Sequence, residues 1–343
     1  MKVSIITTIY KAEKDLPRLL DSMMALKSPE LEFFLIDNGS PDRCGEICAE
    51  YAEKDSRFFI RSLKDNIGYI RARMLGIHEC HGDYVGFSDS DDYLEPSGYD
   101  RAIEILKQHD YDMFIGAYNV HTGNKVIQNL PPFLPGVYVD EEIKNDISPQ
   151  AFGCLRSRSR LHGFMWKHIY RLSILRHSNI ALEEAIQPWE DQLFNIDVIN
   201  NCNHIYVDNL ILYNYFANSN SITAELYKHF DGVDFWRKTR LLYLEKVKRT
   251  STGLEKRANA NASLTNIYSL AINLCKNSSL KTREVVNRLK SLINNDNVLE
   301  DIIAETCDMD LDKRCLFVKY CLKFGLYQLL VNVIRLLKSF KCL

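Results

Sequence analysis

Val3-Ser4-Ile5-Ile6-Thr7-Thr8-Ile9 is the stretch whose reading decides the fold. It is rich in β-branched residues, which suit a pleated and buried backbone, and it reads as a buried strand. Leu16, Leu19, Leu20 and Met23 follow at helical spacing. The next apolar run, Leu31 to Ile36, ends at Asp37-Asn38-Gly39-Ser40-Pro41-Asp42, where Ser40 is expected to cap a helix with Pro41 at its first position. Phe58 to Arg61 is a third strand, followed by a helix from about Ile70 to Cys80; Tyr84 to Phe87 is a fourth strand and Met113 to Val120 a fifth. Strands alternating with helices imply an α/β fold, a mostly parallel sheet with flanking helices and right-handed crossovers. In such sheets ligands bind beyond the carboxyl ends of the strands. Three of those ends carry polar clusters: Thr8-Ile9-Tyr10, Asp37 to Ser40, and Asp89-Ser90-Asp91-Asp92.

The rest of the chain sets bounds on this reading. With 343 residues there is room for one large domain and a smaller one. A formal charge of −2 gives no bulk attraction to nucleic acid. Ten cysteines are scattered without metal-type spacing and read as reduced thiols of a cytoplasmic protein, several of them buried. No secretory signal and no membrane-length apolar run is evident; Phe324 to Leu337 is broken by Gln328, Asn332 and Arg335. His121 to Ser159 reads as loop, with Pro131, Pro132, Pro135 and Pro149. Apolar runs recur at Ile205 to Val207 and Leu210 to Tyr215, and from about Tyr227 the pattern is helical. Residues 1–225 are therefore expected to form the α/β domain and 226–343 a helical C-terminal region. In that region Lys313, Arg314, Lys319, Lys323, Arg335, Lys338 and Lys341 stand among apolar residues. That pattern suits a basic amphipathic helix on the inner membrane surface, and equally a solvated bundle face or a contact in a homo-oligomer.

The chemistry is read from two clusters. Three carboxylates within Asp89 to Asp92 repel one another, and a divalent cation relieves that repulsion. Mg2+ or Mn2+ takes one or two carboxylates and completes its shell with phosphate and water, so the cluster suits a metal-bound diphosphate. Taken alone, it is also an acidic turn before the helix at Pro96. The second cluster is Trp189-Glu190-Asp191-Gln192-Leu193-Phe194, where a carboxylate could serve as general base for a hydroxyl. The plainer reading is a helix N-terminus whose acids complement the dipole.

Together the motifs resemble the inverting family 2 glycosyltransferases of bacterial surface-polysaccharide type, which have the GT-A (Rossmann-like) fold. The resemblance is carried in order by Val3 to Tyr10, Ile36 to Ser40, Asn66-Ile67-Gly68 with Ala72-Arg73, Gly82 to Val85 leading into Phe87 to Asp92, Trp166 to Arg171, Glu190-Asp191, and Ser219 to Thr223. It implies that Thr8, Tyr10, Asp37, Asn38, Asn66, Arg73, Asp89 and Ser90 bind a nucleotide-sugar, a UDP-sugar by preference. Asp91, with Asp92, would hold the metal. Asp191, beside Glu190, would be the catalytic base. Trp166, Trp189 and His168 would meet the acceptor, a glycan or lipid-linked saccharide of a capsule, lipopolysaccharide or other surface glycan. Two positions depart from the pattern: Asn38 stands where many relatives have a second acid, and Lys167 and His168 flank the usual basic slot. Trp166 reads equally as a core residue, and His162 as a polar surface or core group before an extra metal ligand. A dehydrogenase is disfavoured, since Thr8-Ile9-Tyr10-Lys11 stands where G-x-G-x-x-G would be needed. The rival of another class is a catalytically silent binding or scaffold protein of the same fold.

Overall fold

The computed structural model describes residues 1–153, 161–176, 190–217, 253–276, 279–293 and 298–339. The β-branched opening run forms β1 (Val3–Ile9), with six of its seven residues buried. Helix α1 (Leu16–Met24) buries Leu16, Leu19, Leu20 and Met23, the stripe its periodicity predicts. Then come β2 (Leu31–Asp37), α2 (Cys44–Lys54), β3 (Phe58–Ser62), α3 (Tyr69–Glu79), β4 (Tyr84–Asp89), β5 (Tyr93–Leu94) and α4 (Pro96–Gln108). Strands β2, β1 and β4 pair in parallel, with β3 parallel on the outer side of β2. Ser40 does not cap α2: its N–H donates to Asp37 Oδ1 at 3.0 Å. The N-cap position is Arg43, whose side chain makes no capping bond; Asp42 just before it accepts from the Cys44 N–H at 3.3 Å.

Beyond β4 the sheet becomes mixed. The remaining strands are β6 (Met113–Thr122), β7 (Lys125–Asn129), β8 (Gly136–Val139), β9 (His168–Arg171) and β10 (His204–Phe216). The main order is β3-β2-β1-β4-β9-β6-β10-β5, with β7 on β6 and β8 on β10. Strand β9 runs antiparallel to both β4 and β6, so β6 again points the same way as β4, and β10 is parallel to β6. The mostly parallel expectation therefore holds for the β3-β2-β1-β4 half. The other half is mixed because the chain returns into the sheet through a four-residue strand pointing the opposite way. The stretch from His121, read as loop, contains β7 and β8; Gly123 at φ +56° makes the turn between β6 and β7. The two apolar runs near residue 210 are one strand, β10, with register shifts between Val207 and Tyr213.

Close packing of helices on this sheet depends on two glycines. A Cβ at Gly76 of α3 would lie 2.5 Å from Ile6 Cγ2, so only glycine lets α3 settle on β1. A Cβ at Gly98 of α4 would lie 1.7 Å from the Ile211 carbonyl oxygen of β10. The core between these layers joins Ile5, Leu19, Phe33, Leu35, Tyr99, Phe114, Ile169 and Leu212, each below 1% exposure. Burying one such side chain stabilises by about 1.5–3 kcal/mol.

The chain divides into two compact units: residues 1–143 with 162–228, and residues 144–161 with 229–343. The first contains the sheet and helix α5 (Glu190–Ile199). In the second, α6 (Gly253–Lys276), α7 (Thr282–Ile293), α8 (Val298–Glu305), α9 (Lys313–Lys323) and α10 (Tyr327–Ser339) form a helical bundle. Its core includes Leu264, Ile267, Ala271, Val285, Leu289, Val318 and Leu330. The short helix Ser148–Phe152 is part of this unit; Ser148 Oγ donates to Glu255 Oε1 at 3.3 Å. Two of the basic residues ascribed to an amphipathic membrane face point elsewhere. Lys319 is buried, with its Nζ on the Thr306 carbonyl and Asp308, and Arg335 binds Thr282 and the Leu280 carbonyl. None of the described helices is long and apolar enough to cross a membrane. The eight described cysteines are free thiols, seven of them buried, and burial pushes Cys44 up to about 11 and Cys48 up to about 12.

Candidate active site

Because β1, β2, β4, β6 and β10 all point the same way, their carboxyl ends lie along one edge of the sheet. The segment entering β9 reaches that edge too. Thr8 pairs across with Asp89 and with Ile36, so the first and third polar clusters stand side by side.

Arg73 is the centre of the arrangement. It sits one turn before Gly76 on α3 and is buried to 7% exposure. Its Nη2 donates to Asp89 Oδ1 at 2.6 Å and its Nη1 to Asp191 Oδ1 at 2.9 Å. Burial alone would press the guanidinium toward the neutral form, but Asp191 and Asp89 hold it charged. One cation thus ties the acid at the end of β4 to the acid in the first turn of α5, residues 102 apart in sequence (191 minus 89). Burial pushes the Asp191 carboxyl up to about 7 against the pull of Arg73, with Glu190 and Asp89 adding to the rise. The Met165 N–H also donates to it, and its side chain remains 18% accessible.

Tyr69, one turn before Arg73, donates its hydroxyl to Glu190 Oε1 and lies under the Arg73 guanidinium, 5.2 Å from ring centre. Glu190 is buried, and its Oε2 has no hydrogen-bond partner among the described residues. Burial, with the Glu190 charge beside it, pushes the Tyr69 hydroxyl far above its ordinary range. Neither the tyrosine nor this pairing was legible beforehand; the available signal was the four-residue spacing from Arg73.

The acidic loop divides its labour. Asp92, expected beside Asp91 as a metal ligand, is turned inward at 1% exposure. Its Oδ1 accepts from the Phe216 N–H at 2.7 Å and its Oδ2 from the Tyr213 hydroxyl at 3.0 Å. The same Tyr213 oxygen accepts from the Asp89 N–H at 2.8 Å. Asp92 therefore fastens the loop to β10. Asp91 is half-buried, and its carboxylate is eased only by its own backbone N–H and the charge of Arg18; burial, then Asp89, pushes it up to about 6. A desolvated carboxylate so lightly compensated fits a divalent cation. Among the described residues no three His, Cys, Asp or Glu side chains are grouped to hold a metal by themselves, so phosphate oxygens and water would have to complete the shell.

Of the residues expected to meet a nucleotide, Asp37 is buried beside the Ser40 N–H, while Thr8 and Ser90 are half-buried and Tyr10 is 41% exposed. Asn38 explains its own departure from a second acid. Its Nδ2 donates to Asn66 Oδ1 at 3.2 Å and its Oδ1 accepts from the Ile67 N–H at 3.0 Å, roles a carboxylate could fill only in half. Asn66 Oδ1 also accepts from the Gly68 N–H, so the pair shapes the loop leading into α3 and Arg73.

The acceptor residues need correction. Trp166 is 3% exposed, stacked 4.3 Å from Tyr213 and edge-on to Tyr118 at 4.9 Å, so it is core. His168 is fully buried, with neither ring nitrogen partnered among the described residues, and burial holds it neutral. Lys167 is buried with its Nζ 5.7 Å from the Tyr118 ring centre, and burial pushes it down to about 7. Trp189 and Ser219 to Thr223 lie outside the described residues. His162 stacks on Phe164 at 5.7 Å.

Residues 4–159 match the family described as Glycosyl transferase family 2. Asp191 lies beyond the matched span. The chain is 30% identical over 230 residues to the uncharacterized glycosyltransferase EpsJ of Bacillus subtilis (strain 168), covering 66% of this chain and 64% of EpsJ. It is 26% identical over 248 residues to the poly(ribitol-phosphate) beta-N-acetylglucosaminyltransferase TarS of Staphylococcus aureus (strain Mu50), covering 71% of this chain and 40% of TarS. The chain thus spans less than two thirds of the length of these curated relatives. The crystal structure of S. aureus TarS 1–349 in complex with UDP-GlcNAc superposes with a TM-score of 0.72 at 20% identity, over 99% of this chain and 92% of that one. The fold is therefore GT-A.

Proposed function

We propose that the protein is a metal-dependent, inverting glycosyltransferase. It moves a sugar from a UDP-sugar to a hydroxyl of a glycan or lipid-linked saccharide in bacterial surface-glycan synthesis. The observation that carries this reading is the double ion pair of Arg73, which brings the acid loop and the carboxylate of Asp191 to one point at the sheet edge. The TarS crystal structure contains UDP-GlcNAc, and TarS is named for N-acetylglucosaminyl transfer, which supports a UDP-linked donor here.

In this reading Thr8, Tyr10 and Asp37 line the base and ribose side, and Asp91 is the metal ligand. A metal held there would supply charge neutralisation for the leaving diphosphate. Asp191 accepts the proton of the acceptor hydroxyl as its oxygen bonds to the anomeric carbon. The bond from that carbon to the diphosphate oxygen breaks on the opposite face, which inverts the centre. A carboxylate raised toward neutrality is well matched to take a proton near pH 7. Arg73, held charged between the two acids, fixes the orientation of Asp191 and offsets part of its repulsion from Asp89.

Calorimetric titration of UDP, GDP and dTDP with and without Mn2+ tests the donor side. The expected result is Mn2+-dependent binding of UDP that Asp91→Ala abolishes. Metal-dependent binding of none of the three would sink the reading and favour a catalytically silent relative.

A further inference from the structure

The last two helices of the bundle carry charge of one sign. From Lys313 to Leu343 the sequence has seven Lys and Arg residues and no Asp or Glu. Packing takes two of the seven, since Lys319 and Arg335 bind within the bundle. Arg314 stands 3.4 Å from Asp312. Lys313 and Lys323 are exposed, and neither forms an ion pair with a described residue. Asp308, the acid that feels Lys323, is already bonded to Lys319 and to the Tyr320 hydroxyl.

The apolar surface beside these lysines is not needed for the fold. The inner face of α9 already gives Cys315, Val318, Cys321 and Leu322 to the core. Its outer face carries Lys313, Tyr320 and Lys323 at helical spacing, with Phe324 just past the last turn. The Tyr320 and Phe324 rings stack at 6.2 Å and 10°, and Lys323 Nζ lies 5.8 Å from the Phe324 ring centre. Gly325, at φ +67°, turns the chain into α10. Phe324 on one side of that turn is 64% exposed, and Leu326 on the other side and Leu329 one helical turn later are exposed as well.

We propose that this corner between α9 and α10 is a membrane-contact surface. Phe324, Leu326 and Leu329 enter the headgroup layer of an anionic bilayer, and Lys313 and Lys323 meet its lipid phosphates. The occupant follows from the charge pattern. Exposed apolar side chains among unpaired cations match a surface that is apolar below and anionic above. A second copy is a poor match, because a two-fold contact through this corner would set lysine against lysine with no acid on the segment to meet it. The proposal goes beyond the transferase reading and does not depend on it.

The test is flotation of the full chain with phosphatidylcholine vesicles, with and without phosphatidylglycerol as about a third of the lipid. The expected result is binding to the anionic vesicles only, weakening severalfold as NaCl rises from about 0.1 M to about 1 M. Lys313→Gln and Lys323→Gln should each weaken it about fivefold, and Phe324→Ser about five- to tenfold. Phe324→Trp should keep binding and show a blue shift of emission on vesicles that the wild type lacks. Absence of binding to anionic vesicles would overturn the proposal, as would equal binding to both kinds. Full binding in Phe324→Ser or in the two lysine variants, or no blue shift in Phe324→Trp, would also overturn it. A dimer on size exclusion that Phe324→Ser converts to monomer, with no vesicle binding, would assign the corner to a second copy instead.

Discussion

Asp91 and Asp92 are adjacent and chemically identical, yet the structure turns Asp92 inward and leaves Asp91 half-buried. Asp92 spends both oxygens on β10, and an asparagine can reproduce both contacts, accepting from the Phe216 N–H and donating to the Tyr213 oxygen. Asp92→Asn is therefore expected to keep metal-dependent UDP binding within a few-fold, whereas Asp91→Asn loses it; calorimetry on the two variants checks the contrast. Tyr69 supplies the sole hydrogen bond that a described residue gives to the buried Glu190 carboxylate. Tyr69→Phe should cost about 1–3 kcal/mol of stability, read as a lowered melting temperature, because it leaves a buried charged acceptor unpaired. The raised Asp191 carboxyl predicts a pH profile. The base form is lost as pH falls through about 7, so kcat/KM should decline on the acid side of that value and plateau above it. A profile flat between pH 5 and 8 would contradict the assignment.

At the scale of elements, the site depends on how closely two helices approach the sheet. The Gly98 position meets a backbone carbonyl of β10 that has no freedom to retreat, so Gly98→Ala should destabilise by about 3 kcal/mol, measured by chemical denaturation. Gly76→Ala meets the flexible tips of Ile6 and Ile36 and should cost less, while displacing α3 and with it Arg73. The elements carrying these contacts differed in how plainly they could be read. Strands β1 to β4 were legible because each is a continuous apolar run ending in polar residues, and α1 and α3 because their spacing is helical. Strand β9 was not, since four residues carry no period and its direction is set by the excursion before it. Strands β7 and β8 hid in a segment whose prolines mark turns between strands as readily as a loop. The burial of Trp166 and His168 could not be read for a related reason. Phe164, Trp166 and His168 are all ring-bearing residues within one short stretch, and only packing decides which reaches the surface.

For the whole molecule, the consequence of two units is that residues 144–161 lie inside the first span of sequence but fold with the second. Ile147, Ala151 and Phe152 are buried to 1% exposure or less. Truncation after residue 228 would strip them of the α6 side of their packing, so such a protein is expected to be insoluble or aggregated. Soluble, monodisperse protein on size exclusion would contradict that. The central claim concerns the point where distant parts of the chain converge, the Arg73 bridge between Asp89 and Asp191. The most direct measurement is turnover of radiolabelled UDP-sugar by wild type and Asp191→Asn, with UDP binding followed by calorimetry on the same samples. The expected result is a loss of about 10²–10⁴-fold in turnover with UDP affinity retained. Full turnover in Asp191→Asn would place the base elsewhere.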